Sequence, residues 1–229
     1  MKNIQSKYFE FENKLIENKF FLSEFKGWNG LIVIRLELPK NITIKSDLII
    51  SKHFDIAKKE KIFVATSGEV EFKLNHNNFV LKEFDALNIY SNDSVFEIKS
   101  LTDSQIFIIS AEELKPQEEK HIFFNFIKDI IPNDIWGGQC ISRVFYGKDL
   151  NLVLFNLKDG FKFHDQGHKN EQLTWVVKGD MDFYVENIKN KLSSGYGVDI
   201  ASFNSHGGIS NGAIGFDAFY PKRQEEKYK

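Results

Sequence analysis

At 229 residues, with 42% hydrophobic and 14% aromatic content dominated by 23 Phe, the chain has enough apolar mass for one large core or two small ones, which excludes wholesale disorder. Its 30 Lys and Arg are scattered against 32 Asp and Glu for a formal charge of −2, so there is no electrostatic footprint for nucleic acid, and a small molecule is the expected partner. A single cysteine, Cys140, excludes an intrachain disulfide and the usual thiolate zinc site and fits a reducing cytoplasm, while the absence of an apolar leader or a run near ~20 apolar residues speaks against secretion and membrane insertion.

Taken in chain order, apolar alternation predicts short strands at LIVIRLEL, KIFVATSGEVEFKL, NFVLKEFDALNIY, SVFEIKS and SQIFIIS. The pattern breaks at AEELKPQEEKHIFFNFIKDIIPNDIW, where Pro116 and the charges interrupt it. There Ile122, Phe123, Phe126, Ile127 and Ile130 fall on one helical face, so 112–131 is read as a linker carrying one helix. Strands resume at NLVLFNL, QLTWVVKGDMDFYV and GFDAFY.

The two strand-rich halves overlay with a shift of 111 positions and no gap: HFDIAKKEKIFVATSGEVEF, from His53, lies on HDQGHKNEQLTWVVKGDMDF, from His164. Lys58 meets Lys169, Glu60 meets Glu171, Gly68 meets Gly179 and Phe72 meets Phe183, a pattern that points to a duplicated domain. The predicted organisation is therefore an N-terminal barrel over 1–111, the helical linker over 112–131 and a C-terminal barrel over 132–229. The halves differ where chemistry would sit, since His168, Gln172 and His206 face Ala57, Lys61 and Val95.

A divalent transition metal takes neutral imidazole nitrogens and oxygen donors from separate strands, with a position left open. The stretch HDQGHKNEQ and, 34 positions after Gln172, His206 supply such donors. Alternation puts Gln172, Thr174 and Val176 on one strand face, and turns Glu171 to the other, where it would support a ligand or face solvent rather than act as one.

These motifs, Gly160 to Gly179 and Gly195 to Asn211, resemble the two motifs of the cupin superfamily, and with the internal repeat they look like a two-cupin chain. The resemblance implies an all-β fold of two cupin (jelly-roll) barrels, often paired as a homodimer. More narrowly, FKFHDQGHKNEQ, SHGGI and FYPKR are similar in order and register to the bicupin isomerase family of the bacilysin pathway, which shifts a ring double bond in a 2-oxo acid. That family implies a metal in each cupin. Here Gln172, His168 and His206 match three ligands of the second site; the first ligand's place holds Gln166, and either Gln166 serves or a bulge from Asp165 to Gly167 brings in His164. The first cupin lacks the matching ligands.

His and amide donors suit Fe(II), with Zn, Mn, Co and Ni as the other candidates. Asn156, Tyr184, Tyr220 and Arg223 are candidates to orient a carboxylate or carbonyl, Cys140 reads as a buried structural thiol, and His53, His76 and His121 read as surface residues. Three functions fit: a metal-dependent isomerase or lyase acting on a small, cyclic or apolar 2-oxo acid, an Fe(II) dioxygenase, or a non-catalytic metabolite- or sugar-binding cupin.

Overall fold

The computed structural model describes residues 6–17, 19–53, 60–90, 95–111, 121–134 and 136–223. In chain order the elements are β1 (Lys7–Glu10), β2 (Lys14–Ile16), β3 (Phe20–Lys26), β4 (Ile32–Leu38), β5 (Thr43–Lys45), α1 (Ser46–His53), β6 (Lys61–Ser67), β7 (Val70–Leu74), β8 (Asn77–Leu81), β9 (Asp85–Ile89), β10 (Phe96–Ser100) and β11 (Ser104–Ser110). They continue with β12 (Ile122–Asn125), β13 (Asn133–Asp134), β14 (Cys140–Tyr146), β15 (Asn151–Leu157), β16 (Lys162–Asp165), β17 (Glu171–Lys178), β18 (Asp180–Val185), β19 (Ile188–Ser193), β20 (Tyr196–Ile200), β21 (His206–Ser210) and β22 (Ile214–Tyr220). Among the described residues no helix is long and apolar enough to cross a membrane.

The chain divides into two compact units, one of Glu12–Phe25 and Ile32–Asp129, the other of Met1–Phe11, Lys26–Leu31 and Ile130–Lys229. The first unit pairs a seven-stranded sheet, β12-β9-β6-β11-β4-β3-β2, with a four-stranded one, β5-β10-β7-β8. The second repeats this arrangement as β1-β20-β17-β22-β15-β14-β13 and β16-β21-β18-β19. Each is an all-β, two-sheet barrel, and apart from the edge strands β12 and β1 the topologies correspond strand for strand.

Period-two patterning builds these sheets. In β7 the side chains of Val70, Phe72 and Leu74 are buried while Glu71 and Lys73 are only partly covered. The central strands β6 and β17 are buried on both faces over six consecutive residues each, polar positions included. Gly68 and Gly179 sit at the same turn of the two barrels with φ of +74° and +72°. A Cβ on Gly179 would overlap the Gly212 carbonyl oxygen. Gly179→Ala should therefore cost about 2 kcal/mol, from the left-handed backbone and the collision together, read as a lowered urea midpoint.

Two expectations are corrected. The helix expected on Ile122, Phe123, Phe126, Ile127 and Ile130 does not form over the described part of the segment: 122–125 is strand β12, paired with β9 from Ile122↔Asn88 to Asn125↔Asp85, and a turn follows. Its apolar residues serve a sheet edge, with Phe124 and Phe126 buried and Phe123 and Ile127 exposed. Residues 112–120 lie outside the described residues. The boundaries shift accordingly: β12 completes the first unit's large sheet, whereas β1, from the N-terminus, completes the second's.

The gap-free repeat also ends at β6. From there the shift of 111 matches strand to strand, but upstream α1 is inserted between β5 and β6, and only five residues separate β16 from β17. The match of His53 with His164 is therefore not structural: His53 ends α1, while His164 lies in β16, the counterpart of β5.

Candidate metal centre

β16 and β21 are neighbours, and Asp165 lies directly opposite His206. After Asp165 the chain turns at Gly167 (φ +101°), whose N–H donates to Asp165 Oδ1 at 2.9 Å. A Cβ on Gly167 would lie 2.6 Å from the Phe203 backbone, so glycine lets this turn close onto the one leading to His206. The Phe203 N–H donates to the His168 carbonyl at 2.7 Å, stitching the two segments together.

The result is a cluster in which ligand atoms of Asp165, His168 and His206 all lie within 4.8 Å of one another; among the described residues it is the only group of at least three His, Cys, Asp or Glu side chains so arranged. The imidazoles are buried, with ring centroids 5.4 Å apart and planes perpendicular. His206 Nδ1 donates to the Asn204 carbonyl at 3.0 Å, which fixes the tautomer of the neutral ring with Nε2 unprotonated. Burial, reinforced by the charge of Arg223, lowers the His168 pKa to about 4, so its ring is neutral at physiological pH. Its Nδ1 is buried without a hydrogen-bond partner, and its Nε2 meets Gln172 Oε1 at 2.9 Å. Neutral imidazoles with a carboxylate and an amide oxygen beside them form a donor set that suits a divalent transition metal.

Gln172 is held in this orientation by its neighbours on the inner face of the large sheet. Its Nε2 donates to Thr174 Oγ1 at 2.8 Å and Asp217 Oδ1 at 3.1 Å, and Thr174 Oγ1 donates to Asp217 at 2.6 Å. With the amide nitrogen committed there, the oxygen faces His168. Burial of the Asp217 carboxyl pushes its pKa up to about 6 despite these bonds. Asp165 is held the other way: although burial opposes it, the hydrogen bonds from Arg223 Nη2 (2.9 Å) and the Gly167 N–H keep its carboxyl well below the usual range.

Gln172, Asp165 and His206 open onto a cavity of about 200 Å³. Asp217, Thr174 and Arg223 share this polar end, and Trp136, Phe155, Phe161, Phe163, Met181 and Phe183 line the remainder. Cys140 also lines it, and burial followed by the charges of Asp217 and Asp134 pushes its thiol up to about 12, which keeps it protonated.

His164 is not in the cluster. It is among the residues that line the cavity, but on β16 it is exposed, lies 3.1 Å from Tyr184 Oη through Nδ1, and alternates with Phe163, which packs toward the core, and Asp165, which joins the cluster. Gln166 is exposed as well. No bulge rescues either residue, and Asp165 stands with the histidines instead. Of the four orienting candidates only Arg223 lines the cavity; Asn156 is exposed, Tyr184 is taken up with His164, and Tyr220 lies at the end of β22. Glu171 is fully buried on the face opposite Gln172 and does not meet solvent: its carboxylate accepts from the Asn29 and Leu31 N–H groups at 2.9 and 3.1 Å.

The corresponding interior of the first barrel is filled. Phe63, Phe72 and Phe96 pack with ring centroids 4.8 to 5.3 Å apart. By the shift of 111 they stand where the second barrel has Thr174, Phe183 and Gly207. Lys61, at the place of Gln172, is 1% exposed and burial lowers its pKa to about 8; Val95, at the place of His206, is 72% exposed.

No family model matches the sequence, and no curated protein does either. Solved structures do match. A cupin 2 conserved barrel domain protein from Leptotrichia buccalis aligns over 96% of this chain and 99% of its own, at 15% identity and a TM-score of 0.63. The chain has the cupin fold. Protein Ylba from E. coli matches the chain over 96% of it and 93% of its own length, at 14% identity and a TM-score of 0.74. Oxalate decarboxylase from Bacillus subtilis, an enzyme with Mn(II) centres, matches at 8% identity and a TM-score of 0.72, over 97% of this chain and 78% of that one. At such identities the likeness is one of fold.

Proposed function

We propose that this cupin binds a divalent transition metal in its second barrel and acts there on a small metabolite, by proton transfer of the isomerase or lyase type. The observation that carries the reading is the convergence of Asp165, His168 and His206, the first and last of them lining a cavity, with His168 kept neutral. His168, His206, Asp165 and Gln172 would hold the cation, with Fe(II) or Mn(II) best suited to these nitrogen and oxygen donors. When bound, such a cation supplies Lewis acidity to a carbonyl oxygen of a chelating substrate, for which a 2-oxo acid is the natural class.

The chain's own residues supply the rest. Asp217, on the cavity wall and anchored by Thr174 and Gln172, is the carboxylate placed to take or return a proton. Phe155, Phe161 and Phe183 exclude water and favour an apolar or cyclic substrate body.

One observation favours a second reading. Two histidines and one carboxylate form the donor set of non-haem Fe(II) oxygenases, so a dioxygenase is the competing activity. The deciding experiment loads the protein with Fe(II) or Mn(II) under argon and follows deuterium uptake from D2O into 2-oxo acids. Exchange without oxygen supports the proton-transfer reading, whereas turnover that consumes oxygen and stops in its absence replaces it with the dioxygenase. Protein that takes up no metal at micromolar supply would overturn both and leave a non-catalytic binding cupin.

A further inference from the structure

We propose that Arg223 is the recognition group for a ligand carboxylate in the second barrel, and that Asp165 neutralises it until a cation claims the charge of Asp165. The inference rests on the metal reading above and gives its ligand a class: a carboxylate on an apolar, ring-sized body.

The Arg223 side chain is 3% exposed and lies at the cavity wall, with Nη2 2.9 Å from Asp165 Oδ2 and the guanidinium carbon 5.4 Å from the Phe219 ring centroid. Its main chain is tied separately, the N–H donating to Asn151 Oδ1 at 2.9 Å, so the guanidinium position is fixed from both ends. Asp165 is at once the partner of Arg223 and the carboxylate of the metal cluster. Without a cation the two charges cancel. A dication beside His168 and His206 adds two positive charges that Asp165 and Asp217 cannot offset together with Arg223, and an enclosed excess of positive charge is costly unless an anion enters.

Nothing on the apolar wall supplies that anion, so the ligand must. The planar guanidinium suits a carboxylate, which it binds through paired N–H groups. A phosphate dianion would call for more donors than one arginine, while Trp136, Phe161 and Phe163 in the same lining offer surface for the ligand's apolar part. Binding is thereby ordered, cation first and carboxylate second.

The test compares phenylacetate with its neutral isostere phenylacetamide by calorimetry. Mn(II)-loaded protein should prefer the acid by about ten-fold or more, the scale of a charged hydrogen bond, and metal-free protein should show no preference. Metal-free Asp165→Asn should regain the preference, because it releases Arg223 without any cation. Arg223→Gln, supplied with enough Mn(II) that elemental analysis finds it loaded, should abolish it, and Arg223→Lys, the gentler change should the first fail to fold, should weaken it. Equal affinities in both loaded wild type and metal-free Asp165→Asn would overturn the inference. If wild type takes up no metal, the proposed function fails on its own, and metal-free Asp165→Asn still decides the role of Arg223: preference for the acid sustains it and indifference ends it.

Discussion

His206→Ala and His168→Ala should each empty the second barrel of metal, while His164→Ala should leave it loaded. His206 carries its ligand nitrogen on β21, oriented by the Asn204 carbonyl, and His168 carries its own on the turn after β16. Losing an outer hydrogen-bonding partner of a metal ligand typically weakens binding by about 10–100-fold, and losing the imidazole itself should cost more. Dialysed against micromolar Mn(II) or Fe(II), wild type and His164→Ala should hold near-stoichiometric metal by elemental analysis, and the two cluster variants only traces. Retention of metal by His206→Ala, or its loss from a folded His164→Ala, would mean that the cation is held by other groups. Asp165→Asn separates charge from shape: the amide keeps an oxygen donor, so a partial loss is expected.

Much of the site is legible in the sequence because strand and site share one periodicity. The alternation that marks β17 as a strand also puts Gln172 and Thr174 on one face, and the structure finds both at the cavity. The same rule applied to FKFHD places Phe161, Phe163 and Asp165 on one side and His164 on the other, so weighing a histidine's chemistry above its position passes over Asp165, the residue that stands in the cluster. Asp217 is open to the same rule, as an acid at an inward place between Gly215 and Phe219. Arg223 is different, because its pairing with Asp165 spans 58 positions and has no local signature. The strand at 122–125 is hidden for a related reason: whether Ile122–Asn125 extends or coils is settled by the free edge of β9, which lies far away in sequence. The insertion of α1 is masked in the repeat, because the identities of His53 with His164 and Lys58 with Lys169 carry the overlay upstream past the point, β6, where the strands stop corresponding.

The stabilising advantage of Asp199→Asn should grow by about 3 kcal/mol between pH 5 and pH 8 and fade as the pH drops below 4. Asp199 sits on β20 opposite Leu173, is 3% exposed, and its Oδ1 is buried without a hydrogen-bond partner. Burial first, then the charge of Glu171, raises its pKa to about 7 against 3.8 for the free group, and a hydrogen bond from the Trp28 N–H and the charge of Lys7 offset only part of this. A folded pKa above the unfolded one means that the native state holds a proton the unfolded chain has shed. The contribution of the acid is therefore complete below the unfolded value, shrinks as the pH rises, and is gone above about 7. Asparagine cannot ionise, so it escapes that loss while keeping an oxygen for Trp28 and gaining an N–H that can face Glu171. Urea unfolding of both proteins at pH 5 and pH 8 reads the effect, and an advantage independent of pH would show that Asp199 ionises without penalty. Two acids stand there because the 28–31 loop turns the N–H groups of Trp28, Asn29 and Leu31 toward the outer face of the sheet that carries Gln172, and each buried donor needs an acceptor. Glu171 serves two of them and Asp199 the third, so the second charge is the cost of fastening that loop behind the strand that carries Gln172.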